Sequence, residues 1–180
     1  AMDKNTVFEI RRYEKKDDTL ENVLWIGLDG SVEASKDDRI YIKVENSVGV
    51  ISGSNERSVL MAAYRFMKEL GCTYLYPGKD GEKVPKRKLD YSDLTVNVDE
   101  TPSYNHRGIC IEGAVGYEHV LNTIDWLPKV GMNEYFSQFV SPTEFFKRYY
   151  KDKARSDPHF HEEFTDADAD AIANALCDEV

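Results

Sequence analysis

The sequence predicts an α/β protein: an α+β layer sandwich with a mixed sheet, followed by an incomplete β/α barrel segment. Three observations predict it. Residues 38–51 hold two apolar runs split at Asn46-Ser47, the first alternating strictly, which is the pattern of a hairpin. Residues 55–70 carry the strongest apolar stripe at spacings of three and four, as an amphipathic helix requires. From Gly108 onward the order reads strand, helix, strand, which is how a β/α barrel opens. Only 69 residues follow Ile111, too few to close one.

Val7–Ile10 is a short strand candidate, and the charged run Arg11–Glu21 reads as a loop. The continuous apolar run Val23–Gly27 predicts a buried strand. Ile40, Ile42 and Val44 point one way and Tyr41 and Lys43 the other, so Asp38–Asn46 predicts a half-buried strand that turns into Val48–Ile51. Ser54 or Asn55 can cap the helix that follows. Its stripe is Val59, Leu60, Ala63, Tyr64, Met67 and Leu70, and Gly71 stands where a helix commonly ends in a left-handed residue. Cys72–Tyr76 predicts a strand, Gly81–Lys88 a loop, and the alternation of Leu94, Val96 and Val98 a further strand.

Beyond Thr101-Pro102, Gly108–Ile111 predicts a buried strand and Tyr117–Trp126 a helix with Tyr117, Val120, Leu121, Ile124 and Leu127 on one face. Pro128 kinks or ends it. Glu134–Val140 predicts another strand, and Ser141-Pro142-Thr143-Glu144 a capping box opening a short aromatic helix through Tyr150. Residues 151–164 are polar and irregular. Thr165 caps a last helix, 166–178, with Ala169, Ile172 and Leu176 as its stripe.

Composition excludes several classes of function. The formal charge is −10, which argues against nucleic acid and against an anionic membrane, both of which need a basic surface. The basic run Lys83–Lys88 is short and flanked by acids, so it reads as a solvated loop before an anion site. Cys72, Cys110 and Cys177 are widely spaced and odd in number, which indicates neither a disulfide framework nor a CxxC metal site. Cys72 and Cys110 lie in apolar runs and read as buried thiols. No apolar run approaches the ~18 residues of a membrane span, and Ala1-Met2 reads as a tag remnant ahead of a start methionine. A cytoplasmic location follows, unless an export signal was trimmed away.

Two segments together resemble a known family. They are GVISGSNERSVLMAAYRFMKELGCTYLYPGKDGEKVP, residues 49–85, and PSYNHRGICIEGA, residues 102–114; IDWLPKVGMNEYFSQF, residues 124–139, extends the likeness. Their order resembles the N-terminal accessory domain and first barrel strands of α-glucuronidase-like and β-N-acetylhexosaminidase-like glycoside hydrolases. The resemblance implies a small α/β accessory domain over 1–100 and the first βαβ portion of a truncated (β/α)8 barrel over 101–180. It implies a parent that hydrolyses O-glycosyl bonds. This chain alone is expected to be inactive, because the strands that carry the two catalytic carboxylates of such enzymes are missing, so no catalytic residue is assigned. The alternative is a non-catalytic module that binds carbohydrate or a partner protein.

Arg107 matches the family's first-strand arginine, which contacts sugar hydroxyls; binding a sugar and anchoring the barrel floor are even alternatives. Glu112, at the strand's end, either lines a pocket or is a solvated carboxylate, the second being favoured. The run Asp157–Glu163 holds His159 and His161 in an HxH, but no third ligand is in register, so a polar loop is favoured over a metal site. Neither metal nor cofactor is expected. GVISGS lacks the phosphate-loop spacing and reads as a tight turn into the helix. The aromatic cluster Tyr135, Phe136, Phe139, Phe145, Phe146, Tyr149 and Tyr150 reads as core or as a face left by absent strands, ahead of a sugar-stacking surface. The expected partners are carbohydrate and, through an open barrel edge, a second copy of the chain.

Overall fold

The computed structural model describes residues 9–17, 19–46, 48–88, 94–112, 116–138, 144 and 165–179. It is a mixed α/β structure with a mixed sheet and, among the described residues, three helices. The chain forms two compact units, one of residues 1–108 and 122–134, the other of residues 109–121 and 135–180.

The first unit is built on four strands: β1 (Leu24–Ile26), β2 (Ile40–Glu45), β3 (Val48–Gly53) and β6 (Val96–Glu100), in the order β1-β3-β2-β6. The expected hairpin is present, with β2 and β3 antiparallel and Ile42 opposite Ile51. Its turn passes through Asn46 at φ 50°, a left-handed geometry that asparagine tolerates. β6 pairs antiparallel with β2, setting Val98 against Ile42 and Val96 against Val44. β1 runs parallel to β3. The strand expected to be buried at Val23–Gly27 stands, among the described residues, at the edge of the sheet with β3 as its neighbour, and Ile26 is 61% exposed.

Helix α1 (Glu56–Glu69) covers one face of the sheet. Asn55 caps it, accepting from Ser58 N while Ser58 Oγ accepts from Asn55 N, a reciprocal capping box. At the other end Gly71, φ 91°, donates to Lys68 O and Cys72 N donates to Met67 O, the paired bonds of a Schellman ending. Arg87 donates to Leu70 O, so part of the basic run serves as a cation at a helix C-terminus. The buried stripe is rotated from the expected one. It consists of Ser58, Met61, Ala62 and Phe66, continuing to Leu70, whereas Leu60 is 47% exposed. Spacings of three and four fit either stripe; the capping box decides between them by turning Ser58 inward. Ile40, Ile42, Val44, Ile51, Val96 and Val98 complete the core with this face.

Gly53 explains why the segment before α1 is glycine-rich. A Cβ there would collide with Ser58 Oγ and lie 2.9 Å from the Ser58 carbonyl carbon. Gly53→Ala is expected to push the capping box off the end of β3 and cost about 2–3 kcal/mol, read as a lower urea midpoint at unchanged slope.

The strand expected at Cys72–Tyr76 is present but shorter, and the loop expected at Gly81–Lys88 holds a short strand. β4 (Thr73–Tyr74) and β5 (Glu82–Lys83) form a separate two-residue antiparallel ribbon around a 3-10 turn, Lys79–Gly81. Pro77 and Gly78 let the chain reverse before the strand can lengthen. No strand includes Glu9 or Ile10, and Ile10 is 96% exposed; the rest of that candidate lies outside the described residues. Cys72 is buried, and burial raises its pKa.

After the junction 101–107 come β7 (Gly108–Glu112), α2 (Tyr117–Trp126) and β8 (Glu134–Gln138), in the predicted order, with β7 beside β8. α2 ends at Trp126 and a 3-10 turn, Leu127–Val130, carries Pro128 near its start. Of the predicted α2 face, Leu127 is buried while Tyr117 and Leu121 are exposed. β7 is not the buried strand expected: Ile109 is half-buried and Cys110 exposed. Among the described residues β7 has β8 as its one strand neighbour, so its faces are not covered as an inner barrel strand's would be. In the second unit, α3 (Asp166–Glu179) begins at the expected cap: Asp168 N donates to Thr165 Oγ1 and Asp168 Oδ2 accepts from Thr165 N. Ala169 and Ala173 are its buried residues with described side chains. The helix expected after Ser141, the HxH segment, and Phe139, Phe145, Phe146, Tyr149 and Tyr150 lie outside the described residues; Tyr135 is half-buried and Phe136 54% exposed.

Candidate functional site

The first unit concentrates its buried polar contacts around one carboxylate. Asp38 lies just ahead of β2, and its side chain is fully buried. Oδ1 accepts from Arg57 Nε at 2.9 Å and from Asn55 Nδ2 at 3.2 Å. Oδ2 accepts from an Arg107 terminal nitrogen and from Asn133 Nδ2, each at 2.8 Å. Asn55 is the α1 cap, Arg57 lies in the first turn of α1, Arg107 immediately precedes β7 and Asn133 immediately precedes β8. A single carboxylate therefore ties the sheet, the helix start and the two segments leading into β7 and β8.

Backbone pairing reinforces this lock. Arg107 N donates to Asn133 Oδ1 at 2.9 Å, Asn133 N donates to Arg107 O at 2.8 Å, and Asn133 Nδ2 also donates to Asn105 O at 2.7 Å. Gly108 lies so close to Glu134 that a Cβ would strike the Glu134 carbonyl oxygen.

Arg107 is fully engaged. Nε donates to Gly131 O at 2.8 Å, one terminal nitrogen to Tyr104 O at 2.8 Å and Asn105 O at 3.4 Å, and the other to Asp38 and, at 3.6 Å, to Met61 Sδ. Its five N–H groups thus all face acceptors within the unit, and its side chain is 18% exposed. These contacts make Arg107 an anchor within the first unit. Glu112 closes β7, and its side chain lies outside the described residues.

Burial alone would raise the Asp38 pKa, but the bonds from Arg57, Arg107, Asn133 and Asn55 outweigh burial and hold it at about 2. Such a group stays ionised at working pH and has no proton to give, so it cannot act as a general acid. Among the described residues, every carboxylate with a displaced pKa (Glu9, Asp17, Asp29, Asp38, Asp99, Asp168) is displaced downward. A glycosidase acid needs the opposite. No cluster of three or more His, Cys, Asp or Glu suited to a metal occurs among these residues. No helix among them is long and apolar enough to cross a membrane.

Because the folded pKa lies below the unfolded value near 4, the unfolded chain takes up this proton first as pH falls. The lock's contribution is complete above about pH 4 and is lost between about pH 4 and 2, amounting to about 2 kcal/mol. Urea unfolding at pH 6 and pH 2.5 should show this loss in the parent chain, and Asp38→Asn should lack that part of the acid sensitivity.

A cleft of about 460 Å³ opens beside the lock, lined by residues of α1, the end of β6, the junction 101–103, Arg107 and the turn 128–131. Lys129, buried in its wall, pairs with Glu82 at 2.6 Å and with Asp125. Burial lowers its pKa, the two carboxylates raise it, and the carboxylates prevail, placing it at about 12. Arg65 pairs with Glu100 at 3.2 Å and with Glu69.

Asp38, Asn133, Asn55 and Arg57 were not singled out from sequence as site residues. Asp38 is one of two adjacent aspartates in a charged run, and nothing in spacing distinguishes the buried one. Asn133 follows Gly131-Met132 and reads as turn chemistry; its pairing with Arg107 spans 26 positions. Compared with models of known protein families and with curated protein sequences, the chain has no match.

Proposed function

We propose that this chain is the N-terminal part of a carbohydrate-active, glycoside hydrolase-like protein, and that it supplies scaffold instead of the catalytic carboxylates. The observation that carries this reading is the Asp38 lock. Within the first unit it joins the sheet and the start of α1 to the residues that immediately precede β7 and β8, as an accessory domain leading into barrel strands requires. The β7-α2-β8 order and the downward displacement of the carboxylate pKa values support it further. In this reading Arg107 orients the start of β7, and Glu112, which closes that strand, is the candidate substrate-side residue.

The test is a panel of aryl glycosides and aryl glucuronides. The chain is expected to give no turnover above background. Turnover abolished by Glu112→Gln in a folded variant would overturn the scaffold reading. Among the described residues the β7-β8 pair has no further strand neighbour, which favours self-association; sedimentation is expected to show species above the monomer.

A second reading, a non-catalytic carbohydrate- or protein-binding module, is favoured by the cleft in the first unit. Saturable glycan binding without turnover would support it over the first.

A further inference from the structure

The cations around the cleft are unequally engaged. Arg65, Arg107 and Lys129 are each held by at least one carboxylate. Lys68 also lines the cleft, and no hydrogen bond or ion pair engages its ammonium among the described residues. Desolvation and the nearby Arg65 charge lower its pKa from the ordinary lysine value while Glu100 acts the other way, so a carboxylate placed beside it adds to the stabilisation that its charged form lacks. Its position in the last turn of α1 suits the helix dipole. That explains a cation at this position but not the cleft it borders.

The rest of the lining has a matching character. Thr101 and Ser103 are exposed there, with hydroxyls that make no hydrogen bond to the described residues. Met61, Pro102 and Pro128 supply apolar surface. The volume lies within the range of small-molecule sites. The lining itself sets Arg65, Lys68, Arg107 and Lys129 against Asp38 and Glu100, and Glu69, Glu82 and Asp125 pair behind it, so no positive surplus remains to hold a phosphate dianion, and Lys68 is the lining cation left to meet a single carboxylate.

We propose that this cleft binds a small polyhydroxy carboxylate, with Lys68 taking the carboxylate and Thr101 and Ser103 bonding to its hydroxyls. Arg107 is a wall of this site and not its anion receptor. The inference does not rest on the glycoside hydrolase reading, and the aryl glycoside panel has no bearing on it.

Gluconate, glucose and inorganic phosphate are titrated calorimetrically into the whole chain and into Lys68→Met and Lys68→Arg. Gluconate is expected to bind saturably, at least about tenfold more tightly than glucose or phosphate. Lys68→Met should weaken it about tenfold or more at an unchanged thermal midpoint, and Lys68→Arg should restore most of the loss. Absence of gluconate binding up to about 10 mM, binding indifferent to Lys68→Met, or phosphate binding as tight as gluconate would each overturn the proposal. Thr101→Val separates the polyol part: about a threefold loss with gluconate is expected, and no change would remove the hydroxyl contact from the account.

Discussion

Asp38→Ala is expected to destabilise the chain by roughly 3–5 kcal/mol, lowering the thermal midpoint by about 10 °C for a chain of this size. The substitution removes the acceptor shared by Arg57, Asn55, Arg107 and Asn133. Arg57 is half exposed and can turn to water. Arg107 cannot do so freely, since it is 18% exposed and tied to Gly131 and Tyr104. A guanidinium charge is left partly buried without its counter-ion, and that uncompensated charge dominates the cost. Thermal unfolding followed by circular dichroism measures it; a loss under about 1 kcal/mol would mean that Arg107 finds water in the folded state.

Ile42→Ala is the second large effect, expected to cost about 3–4 kcal/mol. Ile42 is fully buried on the central strand β2, between Ile51 on β3 and Val98 on β6. A truncation there leaves a cavity walled by regular strands, which cannot close around it. The informative control is Leu60→Ala. Leu60 belongs to the apolar stripe read from spacing, yet it is 47% exposed, so its truncation should cost less than about 1 kcal/mol. Equal losses at the two positions would restore the unrotated helix face.

Much of the first unit was legible because its signals are local. Alternation at Ile40, Ile42 and Val44, the turn at Asn46, the cap at Asn55 and the ending at Gly71 each act within a few residues, and each occurs where the pattern put it. The helix face matches the expected stripe at Ala63, Met67 and Leu70 and is rotated from it at its start, because Val59 and Leu60 satisfy the same spacings as Ser58, Met61 and Ala62. An inward serine carries no apolar signal; its burial follows from its place in the capping box. Exposure of β1 and β7 was equally illegible, since a run such as Val23–Gly27 does not state how many neighbours its strand will have.

The site was legible in one residue and hidden in the rest. Arg107 stood out through the family resemblance of the segment that holds it. Its partners lie 69 and 26 positions away, at Asp38 and Asn133, and long-range polar pairing leaves no periodicity to read. Lys68 carries no signal in the sequence for a related reason: the cleft beside it is assembled from segments far apart in the chain.

The central claim is that Asp38 holds Arg107 as the anchor of the junction. A double-mutant cycle on unfolding free energy with Asp38→Asn and Arg107→Gln tests it most directly. The predicted result is a coupling of about 2 kcal/mol or more, the double variant losing far less than the sum of the single losses. Additivity within about 0.5 kcal/mol would contradict the claim and leave Arg107 available for a ligand.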